Sequence, residues 1–467
     1  MKYVSTRGQA PELEFEEALL TGLARDGGLY VPASWPRLSH EEIAGFAGKS
    51  YVEVAEAVMM PFVEGAIAPA SLRVMLEEAY ASFGHQAVTP LRQMGDNDWI
   101  LELFHGPTLA FKDVAMQILA RLFDHALKGK GRRLTIVGAT SGDTGSAAIE
   151  AFRGRDAIDI FILHPKGRVS EVQRRQMTTV LDANVHNIAV EGSFDDCQAL
   201  VKAMFNDMHF RDEIGLAGVN SINWGRVMAQ IVYYFTSAVA LGGPARPISY
   251  SVPTGNFGDI FAGYVSREMG LPIEQLLVAT NVNDILARAL NTGRYDVGTV
   301  TPTISPSMDI QVSSNFERLL FDVCDRDGAA VERMMQQLQQ SGGFGIKEKA
   351  LKKARACFSA DRADEAETAA MIQKAYNEMG ELIDPHTAVG LCVASKHRGD
   401  PAIPMVTLST AHPAKFPAAV EAACGIAPGL PARMADLFER EERLDECAND
   451  LQAVEDFIRV RSRATAA

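Results

Sequence analysis

Apolar residues recur three and four positions apart in the first 90 residues, which is the spacing of helices with one buried face. The pattern occupies three segments, EFEEALLTGLARDGGLY, EEIAGFAGKSYVEVAEAVMMPFV and PASLRVMLEEAYASF. Glycine and proline residues punctuate the first two segments, as is usual where helices are interrupted. We therefore predict a helical N-terminal domain over residues 1–90.

Short, uninterrupted apolar runs alternate with helical patterns from about residue 95 onwards. The runs are RRLTIVGAT, AIDIFILHP, VHNIAVEG, PISYSV, QLLVATN and PMVTLST. Strands that are apolar on both faces are typical of parallel sheets covered by helices on each side. The pattern predicts an α/β protein with two parallel-type sheets, in a core over residues 91–310 and 383–430. A smaller α/β domain, at about 130–225, is nested in that core.

The segment 311–382 is polar and rich in helical patterns, such as AAVERMMQQLQQ and DEAETAAMIQKAYNEMG. It shows no clear strand, so we predict a helical insertion between the two parts of the core. Residues 431–467 are predicted to form a polar, helical C-terminal tail.

Composition narrows the classes of function. The chain has 467 residues, of which 47% are hydrophobic, and its net charge is −14. An acidic globular protein is a poor candidate for a nucleic-acid or membrane binder, although it can bind anions locally. Its six cysteines lie far apart and suggest neither a zinc site nor a disulfide framework, and no apolar run is long enough to span a bilayer. We expect a cytoplasmic protein without a metal, either a monomer or a small homo-oligomer.

Two glycine-rich turns each follow a predicted strand and precede a predicted helix. They are GATSGDTGS, residues 138–146, and SVPTGNFGD, residues 251–259. Ligands of α/β proteins bind at the carboxyl ends of strands, where backbone N–H groups and a helix start can hold an anion. Either turn alone can be no more than a tight connection, and neither has the P-loop or Rossmann spacing. Two turns at matching places favour one ligand that carries a phosphate.

Lys112 lies where the segment HGPTLAFKD passes into an apolar helical pattern. A lysine at this place is either a solvated residue of the first turn or a reactive amine. The positive end of the helix dipole disfavours an ammonium there and lowers the pKa of the amine. A neutral amine is what Schiff-base chemistry requires. A lysine, two glycine-rich turns and no metal site together indicate pyridoxal phosphate as the cofactor.

The segments HGPTLAFKD, TSGDTGS, VPTGNFGD and STAHPAKF, in this order, closely resemble the threonine synthase family in its bacterial and fungal branch. The runs STRG, NSINWGR and ATNVND also fit, so the resemblance extends from residue 3 to about residue 417. It implies the tryptophan-synthase-β-like fold, which is fold type II of the pyridoxal-phosphate enzymes. It also implies the last step of threonine biosynthesis, in which O-phospho-L-homoserine and water give L-threonine and phosphate.

The resemblance assigns roles to individual residues. Lys112 matches the lysine that forms the Schiff base and acts as acid and base, and Thr410 matches the hydroxyl residue that meets the pyridine nitrogen. The loop for the cofactor phosphate is matched by Gly255, Asn256, Phe257 and Gly258. The loop that holds the substrate carboxylate and flanks the cofactor's 3′-oxygen is matched by Ser141, Gly142, Asp143 and Thr144. The region that receives the substrate phosphate is matched by Ser221, Asn223 and Arg226.

Two acidic residues depart from the wider fold. Asp143 stands where many fold-type-II enzymes have asparagine, and a carboxylate there repels a phenolic oxygen unless a proton is shared. The charge state of Asp143 is therefore open. Asp259 also stands where other members can offer an amide.

Three further residues each have two interpretations. Arg7 is either a second phosphate ligand or a packing arginine, and the second interpretation is favoured. His386 either caps its helix or contacts the site, and Asp384-Pro385 favours the cap because this pair is a helix-start signal. Lys415 is interpreted as electrostatic support.

Two alternative functions stay open at this point. A serine or threonine dehydratase of the same fold shares the lysine and the glycine loop, but it needs no second phosphate site, so Arg226 argues against it. A protein that only binds a phosphorylated metabolite lacks the yellow colour and the borohydride-sensitive absorption of bound pyridoxal phosphate.

Overall fold

The computed structural model describes residues 1–466, and its two larger sheets are mainly parallel. The strands, in chain order, are β1 (Tyr3–Ser5), β2 (Tyr30–Pro32), β3 (Leu91–Gln93), β4 (Asp98–Glu102), β5 (Leu134–Ala139), β6 (Ile158–Pro165), β7 (Val185–Val190), β8 (Leu216–Ala217), β9 (Ile248–Pro253), β10 (Ile273–Thr280), β11 (Arg294–Asp296), β12 (Gly343–Gly345), β13 (Phe358–Arg362), β14 (Met405–Ser409) and β15 (Asp445–Cys447).

The helices, in chain order, are α1 (Phe15–Thr21), α2 (His40–Ala44), α3 (Tyr51–Val63), α4 (Pro69–Tyr80), α5 (Lys112–Leu127), α6 (Asp143–Phe152), α7 (Glu171–Thr178), α8 (Phe194–Asn206), α9 (Met208–Glu213), α10 (Trp224–Ala240), α11 (Gly258–Glu268), α12 (Ile285–Thr292), α13 (Phe316–Val323), α14 (Gly328–Ser341), α15 (Glu348–Arg355), α16 (Glu365–Met379), α17 (Pro385–Lys396), α18 (Pro417–Cys424) and α19 (Leu451–Arg461). Short 3₁₀ turns add Pro306–Met308, Pro413–Lys415, Ala432–Met434 and Arg463–Ala466. Within residues 1–466, no helix has both the length and the apolar character needed to cross a membrane.

The larger sheet has six strands in the spatial order β13-β10-β9-β14-β4-β3. Its neighbouring strands are parallel except for β3, which is antiparallel to β4. The carboxyl ends of β4, β14 and β9 therefore lie at one edge of the sheet. The segments that leave this edge lead to Lys112, Thr410 and Gly255, so the topology brings three predicted site residues to the place where α/β proteins bind ligands.

The smaller sheet has five parallel strands in the order β15-β7-β6-β5-β8. All eight residues of β6 are buried, as expected for a strand covered by helices on both faces. The carboxyl end of β5 leads through the first glycine-rich turn into α6. The prediction of two parallel-type sheets is thus confirmed, and β5 to β8 lie inside the predicted nested region at about 130–225.

The prediction that residues 311–382 are helical is wrong in one respect. Helices α13 to α16 are present, but β13 pairs in parallel with β10 as an edge strand of the larger sheet. A second strand, β12, pairs with β11. The sequence of β13, FSADR, is partly exposed, because an edge strand needs no continuous apolar run. This is why its pattern gave no strand signal.

The predicted helical tail, residues 431–467, also contains a strand. The three residues of β15 pair with β7 at the edge of the smaller sheet. Their sequence, DEC, is polar and only partly buried, so the pairing depends on backbone hydrogen bonds rather than on an apolar pattern.

The N-terminal region is mainly helical, as predicted, with β1 and β2 paired antiparallel. Its first helix is shorter than its apolar pattern, because Gly22 follows Thr21 with φ +68°, a conformation that suits glycine and ends the helix. Helix α3 packs against α10, and α4 packs against α3 and α5. The N-terminal layer therefore covers the helix that carries Lys112.

Candidate active site

Lys112 is the first residue of α5, and only 8% of it is exposed. The turn before it is joined to the end of β14. The Phe111 N–H donates to the Thr410 carbonyl at 2.8 Å, and the His412 N–H donates to the Leu109 carbonyl at 3.0 Å. These bonds hold the lysine in the interior, so it is not a solvated residue of the first turn.

Asp143, the first residue of α6, joins two buried lysines. Its Oδ2 lies 3.2 Å from Lys112 Nζ, and its Oδ1 lies 2.9 Å from Lys415 Nζ. The Gln173 amide donates to the same Oδ1 at 2.9 Å. Two ammonium groups and an amide donor favour the ionised carboxylate.

The pKa values of this cluster follow from burial and from the charges around it. Burial by itself raises the pKa of Asp143, but Lys112, Lys415 and Gln173 outweigh it and hold that pKa well below its ordinary value. The pKa of Lys112 is lowered, first by burial and then by the charges of Lys415 and Arg226, against the opposing effect of Asp143. A lowered pKa of Lys112 is what the sequence predicts, and burial is its largest cause.

The first glycine-rich loop is shaped by close packing. The Gly142 N–H donates to Thr140 Oγ1 at 2.9 Å. Gly142 has φ +140°, and a Cβ there would lie 2.4 Å from the Gln173 side chain, so only glycine fits. Ser141 is exposed and Thr144 is partly exposed, whereas Asp143 between them is buried. The loop thus presents hydroxyl groups to solvent and a carboxylate to the two lysines.

The second glycine-rich loop opens α11 at Gly258. Phe257 adopts the left-handed conformation with φ +63°, and its buried ring packs against two other phenylalanines. A Cβ on Gly255 would lie 2.9 Å from the Ser307 carbonyl oxygen. Asn256 is exposed. A tight turn of this kind before a helix start is suited to an anion such as phosphate.

Arg226 is a buried guanidinium with few partners. Its one hydrogen bond within the described part of the chain, from Nη1 to the Val219 carbonyl, is long at 3.4 Å. Its buried Nε has no hydrogen-bond partner among residues 1–466. Burial lowers the pKa of Arg226 to about 10, which still leaves it charged at neutral pH. A buried positive group with an unused donor is suited to an anionic ligand.

The segment around Ser221 is linked to the second glycine loop through Asn315. The Asn315 side chain donates to the Ser221 carbonyl at 3.1 Å, and its backbone N–H donates to the Asn256 carbonyl at 3.1 Å. Asn223 is fully buried, caps the start of α10 and donates to the Leu19 carbonyl at 2.8 Å. Asn223 therefore supports the helix turn that carries Arg226, and direct substrate contact stays a prediction for Ser221, Asn223 and Arg226.

These residues fit pyridoxal phosphate and a second phosphate group. Lys112 supplies a buried amine, and the turn at Gly255 supplies backbone N–H groups at a helix start. The Thr410 hydroxyl makes no hydrogen bond within the described part of the chain, so it is available to a ring nitrogen. Arg226 supplies the unused donor for a second anion.

Arg7 and His386 lie outside this constellation. Arg7 donates twice to Glu317, at 3.1 Å each, which agrees with the favoured interpretation as a packing arginine. Helix α17 begins at Pro385, as the pair Asp384-Pro385 predicts, but its cap is the carboxylate of Asp384, which lies 2.7 Å from His386 Nδ1, and not His386 itself. His386 Nε2 also accepts the Ser307 N–H at 3.2 Å, which places it behind the second glycine loop.

Asp259, the second residue of α11, is buried in a neutral polar cluster. It accepts hydrogen bonds from the Tyr233 hydroxyl and, at 3.2 Å, from the Tyr234 hydroxyl. Burial raises its pKa to about 7, although both hydroxyls act in the opposite direction.

Gln173 and Gln176 are two site residues that were not predicted from the sequence. They stand three positions apart on α7, and both side chains are buried. Gln173 contacts Asp143, and Gln176 accepts a hydrogen bond from Lys415 at 2.9 Å. Two amides on one face of a short helix are the only signal that the sequence offers, and it does not identify their partners.

Comparisons with known proteins identify one family. Three family profiles match the chain: "Threonine synthase N terminus" over residues 2–80, "Pyridoxal-phosphate dependent enzyme" over residues 83–342, and "Threonine synthase, C-terminal" over residues 387–458. The chain is 58% identical over 459 residues to a threonine synthase of Pseudomonas aeruginosa, with 98% of each chain covered. It is 43% identical over 452 residues to that of Saccharomyces cerevisiae, covering 90% of this chain and 88% of the relative.

Solved structures show the same similarity in three dimensions. A crystal structure of PLP-bound threonine synthase from Brucella melitensis has a TM-score of 0.97 at 60% identity, covering 99% of this chain and 100% of the other. The yeast threonine synthase structure has a TM-score of 0.93 at 40% identity, with 98% of both chains covered.

Proposed function

The chain belongs to the threonine synthase family of pyridoxal-phosphate-dependent lyases, and on that basis we propose which of its residues carry out the conversion of O-phospho-L-homoserine and water to L-threonine and phosphate. Its fold is fold type II of the pyridoxal-phosphate enzymes. The observation that carries the proposal is the buried Lys112 amine. It lies 3.2 Å from the Asp143 carboxylate, and the charge of Arg226 helps to lower its pKa.

Lys112 and the second glycine loop hold the cofactor. Pyridoxal phosphate, when bound at Lys112, supplies an electron sink for negative charge that develops on the substrate carbons. Gly255, Asn256, Phe257 and Gly258 hold its phosphate through backbone N–H groups at the start of α11. The Thr410 hydroxyl is the partner of its ring nitrogen.

Two groups of residues hold the substrate. Ser141, Gly142 and Thr144, at the start of α6, receive its carboxylate through N–H and hydroxyl donors. Arg226 receives its phosphate, with Ser221 beside it, because a guanidinium can bind phosphate through two parallel hydrogen bonds. The substrate is then held at both ends, which fixes its central carbons near Lys112.

Lys112 is the residue that moves protons. Its amine removes the proton from Cα, and an oxygen of the substrate phosphate takes the proton from Cβ as phosphate leaves Cγ with the C–O electron pair, towards Arg226. Lys112 gives its proton to Cγ, takes a proton from the water whose hydroxyl adds at Cβ, and returns that proton to Cα. Asp143 orients the amine through Oδ2 during these transfers. Each transfer by a positioned group contributes roughly 10²–10⁴-fold to the rate.

The remaining expectations are also proposals. We infer a cytoplasmic location, consistent with the six unpaired cysteines found among the described residues. The partner is the small-molecule substrate rather than nucleic acid or membrane, and the protein is a monomer or small homo-oligomer. The domain limits proposed above, at residues 90, 310, 383 and 430, follow the changes in pattern along the chain.

A dehydratase of the same fold is the alternative function. It shares the lysine and the phosphate loop but has no use for a second anion site. The unpartnered Nε of Arg226 favours the phosphorylated substrate.

Product analysis tests the proposal. The purified holoenzyme is given O-phospho-L-homoserine, and phosphate and threonine are measured together. We expect equal amounts of both products, and neither product above background from Lys112→Ala. Ammonia release from threonine at a comparable rate, or threonine formation by Lys112→Ala at the native rate, would contradict the assignment.

A further inference from the structure

Lys415 is a fully buried lysine close to the reacting groups that the proposed function does not use. It ends the 3₁₀ turn Pro413–Lys415, a few residues after β14, and none of its surface is exposed. Its Nζ donates to the Thr108 carbonyl at 2.7 Å and to Gln176 Oε1 at 2.9 Å. Its third contact is Asp143 Oδ1, at 2.9 Å. An ammonium with three acceptors in the interior has a fixed position.

The partners of this ammonium come from different parts of the molecule. Asp143 and Gln176 stand on α6 and α7, which pack against each other beside the smaller sheet. Thr108 and Lys415 lie in segments that leave β4 and β14 of the larger sheet. Lys415 therefore joins the two sheets at the point where Asp143 meets Lys112.

We propose that Lys415 is a positioning residue for the reaction, because its ammonium binds Oδ1 of Asp143 and leaves Oδ2 directed at the Lys112 amine. The inference rests on the proposed function, since it assigns a task to Lys415 in the same site. Lys415 also supplies the positive charge that balances Asp143, so the carboxylate is held beside the cofactor without a net negative charge. Lys415 thus explains how an aspartate at position 143 can stay ionised beside the phenolic oxygen of the cofactor.

The charges around Lys112 predict how its pKa changes when the charge of Lys415 is removed. The groups that act on its amine are the Asp143 carboxylate, which favours the ammonium, and Lys415 and Arg226, which disfavour it. Asp113 lies near Lys415 and is held by Thr108, through its N–H at 2.8 Å and its hydroxyl at 2.7 Å. Removing the charge of Lys415 should therefore raise the pKa of Lys112.

The test replaces Lys415 by methionine, which has a similar length and no charge. We expect the acid limb of the kcat profile to move to higher pH by about one unit. We also expect pyridoxal phosphate to recombine with the stripped full-length enzyme about tenfold more slowly at neutral pH, as read by its visible absorption. Lys396→Met is the matched control, because Lys396 also pairs with a carboxylate and a backbone carbonyl but is exposed. It should change neither quantity.

A double variant distinguishes a positioning role of Lys415, exerted through Asp143, from a role in packing alone. If Lys415 acts through Asp143, Lys415→Met lowers kcat about tenfold in the native background but less than threefold in Asp143→Asn. Equal losses in both backgrounds, or an unchanged acid limb and recombination rate, would overturn the proposal. If Lys415→Met is not recovered folded, Gln176→Leu removes one of the three acceptors that fix the ammonium but keeps its charge, so kcat should fall about threefold while the acid limb stays in place. An unchanged kcat in that variant would overturn the proposal too.

Product formation by the wild-type enzyme distinguishes a failure of the proposed function from a failure of the role of Lys415. If it forms threonine and phosphate through Lys112 while the Lys415 variants behave as wild type, only the role of Lys415 fails. If the wild type does not form these products, the proposed function fails whatever the variants show.

Discussion

Asp143 and Asp259 occupy matching places in the molecule and have opposite properties. Each stands in the first turn of a helix that follows a glycine-rich loop at the carboxyl end of a parallel strand, and each is buried. The pKa of Asp143 lies well below the ordinary value, whereas that of Asp259 is raised to about 7. Burial raises the pKa at both positions, so burial does not explain the difference.

The difference lies in the partners. Asp143 is held between two ammonium groups, which stabilise the carboxylate more than burial destabilises it. Asp259 has two tyrosine hydroxyls, which donate hydrogen bonds but carry no charge, and its Oδ2 has no partner within the described residues. A raised pKa of Asp259 suits the loop proposed to hold a phosphate, because a full negative charge there would repel the ligand. An ionised Asp143 suits the loop beside the amine.

Asp143→Asn should have the largest effect, because it removes the counter-charge of two buried lysines at once. We expect kcat to fall at least about a hundredfold and the free energy of unfolding to fall by about 3–5 kcal/mol, as when one partner of a buried ion pair is removed. Steady-state kinetics and denaturant titration measure the two effects. Asp182→Asn breaks a more exposed ion pair with Arg153 and should cost at most about 1 kcal/mol. Equal losses of kcat and of unfolding free energy in the two variants would contradict the special role assigned to Asp143.

Asp259→Asn should change how stability depends on pH. The folded-state pKa of Asp259 is about 7, above its ordinary value of 3.8, so the folded protein retains a proton that the unfolded chain loses between these values. Its contribution to stability is therefore fully present below about pH 4 and is lost as the pH rises to 7, on the order of 4 kcal/mol in all.

The asparagine variant lacks this loss. Denaturant titrations from pH 4 to 8 should show its free energy of unfolding, relative to wild type, increasing with pH. A constant difference between the two proteins over this range would show that Asp259 is ionised throughout, like Asp143.

Tyr233→Phe should have a smaller effect of the same kind. It removes one of the two hydroxyl donors, which lower the pKa of Asp259, so that pKa should rise by about one unit and the pH-dependent loss of stability should extend to higher pH. Tyr250→Phe is the control, because the Tyr250 hydroxyl bonds to the Tyr234 carbonyl and Ser237 instead of Asp259. If both variants shift the pH dependence equally, the tyrosine cluster acts as a whole and the direct bond is not the cause.

The sequence predicted the central parts of the fold because burial on both faces leaves a continuous apolar run. Strands such as β6 and β9 carry that run, and both were predicted at the right place. The edge strands β13 and β15 were not, since they are short or polar and are fixed by backbone pairing with a neighbour. Apolar patterning contains no information on such a neighbour.

The features of the site also divide into those that a short local motif reveals and those that depend on contacts between distant segments. The glycine loops and Lys112 were found from local motifs and from family resemblance, because each occupies one short segment. The charge state of Asp143 depends on Lys415 and Gln173, which reach it from other elements. Such contacts exist only in the folded chain, so the sequence left this question open.

The most direct test of the account is to identify the lysine that carries the cofactor, since two buried lysines contact Asp143. The holoenzyme is reduced with borohydride and digested, and the labelled peptide is identified by mass spectrometry. We predict that the cofactor is found on Lys112 and is absent from Lys415. A label on Lys415, or a reduced holoenzyme in which Lys112 is unmodified, would contradict the account.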